Sequence, residues 1–467
     1  KQIGELKDYN LVYIMIDSLR ADHLGCYGYK RNTSPFIDTI AASGLQFDQA
    51  YSNSSYTRES VSVLFSGRLP SSGGNYGWLC TGPRKGTQTI GTLFKQAGYQ
   101  TAIISNSIQM KPVGFHAGID HFECLSSKWG VSRTGPELSR RAAKFMKKNR
   151  DKRFFLYLHF LDPHGPYDPP PPLLKQRFNK QSIPNPLGIY KHVRKQCSDL
   201  VASGFGPGES RFEDMVLKYD TEIAHTDIAI KQIFNQLKAL NLTGKTLVII
   251  NSDHGEEFLE HGYVEHAWTL YRESLHVPLI FWAPDKIPAG RILSRVSTVD
   301  LLPTILSLMD IKSPDKRFDG EALFSKKQST YRFIPPKKPY IGELIIQHRG
   351  ILRTVIKGQW KYIAAQRWLS PETRPTVLGG FMRYRKNPEN LKNIWGPIEF
   401  EQLFDLAADP KEQTNLVKRN RKKAFQLKGI LRLYEAYAKQ FGENKGPQPL
   451  PSLSEKDKQR LKSLGYL

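Results

Sequence analysis

Leu11-Val12-Tyr13-Ile14-Met15-Ile16-Asp17 and Thr246-Leu247-Val248-Ile249-Ile250-Asn251-Ser252-Asp253-His254 are two apolar, β-branched runs that each end in a carboxylate. A third run, Phe154–Phe160, leads into Leu161-Asp162-Pro163-His164-Gly165. Apolar runs this long and uninterrupted read as strands buried on both faces, as parallel strands are. Working outward, Ser34–Ser43, Thr87–Ala97, Pro136–Asn149, Asp214–Leu240 and Val299–Met309 have helical periodicity, while Thr101–Ser105 and Leu279–Trp282 read as further strands. The alternation predicts an α/β fold with a mixed, mainly parallel central sheet covered by helices on both faces. In such sheets ligands bind beyond the carboxyl ends of the strands. Asp17, the Asp162–His164 turn and Asp253-His254 all fall there.

Past about residue 330 the texture changes. Ile341–Gln347, Leu352–Ile356 and Trp360–Ala364 read as a meander of short strands, and Arg421–Gln440 as a basic helix. We therefore expect a domain over 1–330 and a smaller C-terminal α+β domain over 331–467. Residues 165–213, rich in Pro, Gly and Lys, read as an irregular insertion that could form a lid.

Sixty-eight Lys and Arg against 44 Asp and Glu give a formal charge of +24. So basic a surface favours anionic partners such as glycans, lipid headgroups or nucleic acid. No nucleic-acid-binding signature accompanies it, which makes nucleic acid a minor reading. Cys26, Cys80, Cys124 and Cys197 are scattered; one bridge could form and none is required. No apolar run reaches the ~18–20 residues needed to span a bilayer. The chain starts at Lys1 without a signal or anchor, as a form trimmed of its targeting segment would. Asn32, Asn53 and Asn241 begin glycosylation sequons, triplets that also arise by chance.

Asp17, Asp253 and His254 supply two carboxylates and an imidazole from neighbouring strand ends, a mixed oxygen/nitrogen set suited to a divalent metal. Taken singly, Asp17 could cap the following helix, and His254 could be a hydrogen-bonded core imidazole. Together they favour a metal. The segment Ser54-Ser55-Tyr56-Thr57-Arg58-Glu59 opens an apolar-faced helix that stops at Gly67. A hydroxyl at that helix start can be activated by a metal, and the helix N-terminus favours an anion. Thr57 could equally be an N-cap.

These stretches, with Ile14–Leu24, Thr57–Pro70, Asp162–Tyr167, Ser252–Glu257, Glu260-His261-Gly262, Leu270–Ile280, Leu403–Pro410 and Leu461–Leu467, resemble the sulfatase family of the alkaline-phosphatase superfamily. The matches run nearly end to end and in family order. The resemblance implies an alkaline-phosphatase-like fold and a divalent metal (Zn, Mn, Mg or Ca) on Asp17, Thr57, Asp253 and His254. It further implies Thr57 as nucleophile, His164 and His266 as ligands of the ester and leaving group, and Arg58 as an adjacent charge. One departure stands out. Formylglycine sulfatases carry Cys or Ser followed by Pro two residues on and Arg four on, whereas Thr57 is followed by Glu59 and Val61. Threonine cannot become formylglycine, so the pattern is more similar to the threonine-using branch of phospho-headgroup transferases and phosphoesterases.

Three functions follow as expectations. The first is a metal-dependent hydrolase of sulfate or phosphate esters working through a covalent Thr57 intermediate. The second is a phosphoethanolamine- or glycerol-phosphate-type transferase, which would carry a membrane anchor upstream of Lys1. The third is a non-catalytic binder of anionic glycans. A periplasmic, secreted or membrane-attached extracytoplasmic location is expected for all three.

Overall fold

The structure is a computed structural model that describes residues 2–76, 82–111, 113–125, 134–178, 204–315, 317–346, 350–366 and 400–442. Cys80, Cys197, residues 179–203 of the expected insertion and the Leu461–Leu467 match lie outside the described residues.

Nine strands form the main sheet. Asn10–Ile16 lies at its centre, parallel to Phe154–Phe160 on one side and to Thr246–Ser252 on the other. Gln100–Ser105 and His121–Cys124 continue the parallel half. On the far side Leu279–Trp282 runs antiparallel to Thr246–Ser252, which makes the sheet mixed. Leu45–Tyr51 and Gly290–Ser297, neither expected as a strand, extend that side as a parallel pair, and the short His276–Val277, antiparallel to Leu45–Tyr51, is the ninth strand.

Both faces are covered. One packs Tyr13, Met15, Phe155, Tyr157 and Ile249 against Val61, Leu64 and Phe65 of the Thr57–Ser66 helix and against the Ile90–Gln96 and Leu301–Leu308 helices. The other packs Val12, Ile14, Leu156 and Ile250 beneath the helices Pro35–Ser43, Gly135–Lys148 and Ser210–Ala239. Alternate residues of each strand serve opposite faces, as the pleat dictates.

The meander Tyr340–Ile346, Gly350–Lys357, Trp360–Gln366 and Phe400–Asp405 forms a separate antiparallel sheet. The helix Arg421–Gly442 packs on it through Leu427, Leu431 and Tyr434. This sheet holds the loop before Thr57: Asn53 Nδ2 donates to Ile341 O (2.6 Å) and Glu343 N donates to Asn53 O (2.8 Å). Asn53 is fully buried, which leaves no room for a glycan and overturns the sequon reading there. No helix of the described residues is long and apolar enough to cross a membrane. Cys26 and Cys124 are free thiols.

Candidate active site

In the central strands Ile16 pairs with Phe160 on one side and with Ser252 on the other, so the next residue along brings Asp17 beside Asp253. Asp17, Asp253 and His254 are fully buried, and one ligand atom from each lies within 4.8 Å of the others. His254 Nε2 stands 3.4 Å from Asp253 Oδ2 and 3.8 Å from Asp17 Oδ1. Asp253 Oδ1 accepts from the backbone N–H of Ser18 (3.1 Å) and of His254 (2.9 Å). Its other oxygen, Oδ2, is buried with no hydrogen-bond partner among the described residues.

That oxygen tests whether a cation fits. A buried carboxylate oxygen left unpaired is costly, and a second carboxylate beside it raises the cost. Burial first, and then Asp17, push the Asp253 carboxyl above its usual range. Burial would lift Asp17 too, but His164, the hydrogen bond from His159 and the nearby His254 outweigh it and hold Asp17 low. His254 Nδ1 lies 2.9 Å from Gly255 O, so it donates there and keeps a lone pair on Nε2. Two carboxylates, one free oxygen and an imidazole lone pair make a donor set that fits a divalent cation. The helix-cap reading of Asp17 fails, because its oxygens meet Ser18 Oγ and His159 instead.

Thr57 is the first residue of its helix; Tyr56 occupies the N-cap position and makes no side-chain cap. The capping role is thus corrected, and a missing cap costs about 1 kcal/mol. Burial of Val61, Val63, Leu64 and Phe65, each worth ~1.5–3 kcal/mol, outweighs it. The Thr57 hydroxyl is left to face the cluster, with Oγ1 3.1 Å from His254 Nε2. The loop bearing it is tied down by Ser52 Oγ, which donates to Asp253 O, and by Ser60 Oγ, which donates to the same carbonyl at 2.5 Å. Glu59, where the formylglycine pattern has proline, is buried and accepts from Ser54 Oγ (2.7 Å) and from the Ile345 amide of the second sheet (3.3 Å).

His164 and His266 join the site. The His266 ring lies 4.3 Å from the His254 ring and 4.8 Å from the His164 ring, centroid to centroid. His266 Nδ1 meets Glu256 Oε1 at 3.0 Å, which fixes the ring, and burial followed by the neighbouring Glu265 lifts the Glu256 carboxyl well above its usual range. Arg58 is half-buried on the next helical position. Every other predicted site residue stands in this constellation.

Two members were missed in the sequence. His159, fully buried, sits 3.2 Å from Asp17 Oδ2 through Nε2, with Tyr157 OH 3.1 Å from its Nδ1. A signal existed: Tyr157 and His159 are polar-tipped residues two apart in an otherwise apolar strand, hence on one face. Glu256 is the other. A cavity of about 180 Å³ lined by Asn53, Arg295, Val296, Tyr340 and Ile356 contains none of these groups.

The sequence profile described as Sulfatase matches residues 9–311, and the chain belongs to the sulfatase family. It is a hydrolase. Among its relatives, arylsulfatase K of Bos taurus is 26% identical over 437 residues, covering 82% of this chain and 73% of that protein. N-acetylglucosamine-6-O-sulfatase of Bacteroides thetaiotaomicron is 22% identical over 527 residues, covering 95% and 88%. A solved structure described as a complex with its substrate D-glucosamine-2-N,6-O-disulfate superposes with a TM-score of 0.69 at 19% identity, covering 94% of this chain and 99% of that one, and shows the shared fold.

Proposed function

We propose that the chain hydrolyses sulfate esters of anionic glycans, with Thr57 as nucleophile. The observation that carries this is the Thr57 hydroxyl, uncommitted to capping, 3.1 Å from His254 Nε2 beside the Asp17–Asp253 pair. Asp17, Asp253 and His254 would hold a divalent cation, which would acidify the hydroxyl and neutralise the ester oxygens. Thr57 Oγ1, its proton released to water, attacks sulfur in line, forming an O–S bond as the bond from sulfur to the leaving oxygen breaks. His164 or His266 gives that oxygen its proton, while the other steadies the equatorial oxygens; Glu256 keeps His266 aimed. Water then attacks the sulfur, the Thr57 ester opens, and sulfate leaves with the hydroxyl restored. Positioning and charge neutralisation supply most of the rate gain.

The glycan assignment is supported by relatives named for N-acetylglucosamine and N-acetylgalactosamine 6-O-sulfates. Thr57 itself favours a second reading, in which a phosphate ester is attacked by the same hydroxyl. Acid-quench peptide mass spectrometry with aryl sulfate and aryl phosphate, each with Zn, Mn, Mg and Ca, tests both. A sulfo adduct on the Thr57 peptide supports the first reading and a phospho adduct the second. Turnover with no adduct, together with an active Thr57→Ala protein, would remove the threonine mechanism.

A further inference from the structure

The segment after the second sheet carries a basic track that neither the fold nor the catalytic constellation needs. It starts at the hairpin that leads into His266: Gln413 Nε2 lies 3.3 Å from His261 Nε2 and 3.4 Å from Glu260 O, in the turn between the short strands Glu257–Phe258 and Val264–Glu265, the second of which runs directly into His266. From there Lys411, Lys418, Arg419, Arg421 and Lys422 are exposed, and Lys423 lies half-buried with its ammonium 5.7 Å from the Trp360 ring centroid. Between 411 and 432 the sole acid is Glu412, which is buried and paired with Lys361. None of the six bases forms an ion pair with a described residue. Some exposed bases elsewhere are paired, as in Lys95–Asp120 (2.6 Å), Lys326–Glu5 (2.7 Å) and Arg291–Asp48 (2.9 Å).

The placement opposes helix stability. Arg421, Lys422 and Lys423 open the helix Arg421–Gly442, whose first turn has no acid, and cations there run against the macrodipole. The helix Gly135–Lys148 does the reverse, with Glu137 in its first turn and Lys147 and Lys148 in its last. One turn on from Arg421, Phe425 is 73% exposed, an apolar ring beside the charges. Lys411 and Lys418 are seven residues apart, at most ~25 Å of chain, a span suited to an extended ligand.

We infer that this track, from Lys411 to Lys423 with Phe425, binds a sulfated polysaccharide and feeds its ester to the active site. The idea rests on the glycan-sulfate reading. Its test measures binding without turnover, so an inactive enzyme would undo that reading and leave this one standing.

The experiment titrates heparin, a sulfated polysaccharide, into the wild-type protein, into Arg421→Glu/Lys422→Glu, and into Lys147→Glu/Lys148→Glu as a charge-matched control. The track variant should keep or raise its melting temperature, since acids now sit at a helix N-terminus, and should bind at least ~10-fold more weakly at low salt. The control should bind nearly as wild type, and affinity should fall as salt rises. Equal weakening in both variants, or none in the track variant, overturns the inference. So does binding to phosphatidylserine vesicles with no binding to heparin, which would make the track a membrane contact.

Discussion

Glu343 and Arg353 bury a charge pair in the second sheet, and Asp17 and Asp253 bury one between central strands, yet the two are built on opposite plans. Arg353 Nε donates to Glu343 Oε1 at 2.8 Å, Ser71 donates to the same carboxylate through N and Oγ, and Tyr434 OH completes it at 2.7 Å. Its opposite charges meet, with Glu435 a second, longer partner of Arg353 at 3.4 Å, and the Glu343 lone pairs are used. At the strand ends two carboxylates stand together, one oxygen has no partner among the described residues, and His159, His164 and His254 are the counter-groups nearby. The first arrangement is complete as protein and can only hold elements together. The second is left open at one position, which is how a binding site differs from a joint.

The contrast can be broken by substitution. The largest effect belongs to the open cluster: Thr57→Ala should lower kcat at least ~10³-fold, as loss of a member of a catalytic unit does, with its circular dichroism unchanged. An equally active variant would remove Thr57 from the chemistry. At the closed cluster Glu343→Ala leaves the buried Arg353 guanidinium with only the longer 3.4 Å contact to Glu435 and should lose ~3 kcal/mol in urea denaturation. In metal-free buffer Asp253→Asn should hold or raise the melting temperature, because it relieves carboxylate repulsion. If both acidic substitutions destabilise alike, the two clusters are the same kind of object and the contrast is void.

A smaller effect concerns Asp300, which accepts from Ser297 N and Glu321 N and whose carboxyl is pushed by burial up to about 7. Its unfolded value is near 3.9, so the folded state binds the extra proton between those pH values. The stabilisation is therefore full below about pH 4 and lost as pH rises towards 7, by at most ~4 kcal/mol. Asp300→Asn should flatten that part of the stability–pH curve; an unchanged slope would assign it to other groups.

The central strands and three of their chemical ends were legible because apolar runs stop at carboxylates, and the pleat then fixes which side chains meet. Leu45–Tyr51 escaped, since Gln46, Asp48 and Gln49 interrupt its pattern; Gln46 is buried only because its amide reaches Cys26 O and Asp48. Gly290–Ser297 escaped for a related reason, a register shift between Ile292 and Arg295 that breaks its alternation. His159 was hidden inside an apolar run. Its role depends on a partner 142 residues away, which local sequence does not encode. Local sequence left Thr57 open as cap or nucleophile; tertiary packing puts Tyr56 at the cap, which removes the first reading alone.

Metal content per chain, measured on wild type and Asp253→Ala after equilibration with divalent metal and removal of the excess, is the most direct test of the open cluster. The account predicts a stoichiometric cation in the wild type and its loss in the variant. A wild type that holds none, or a variant that holds as much, would contradict it.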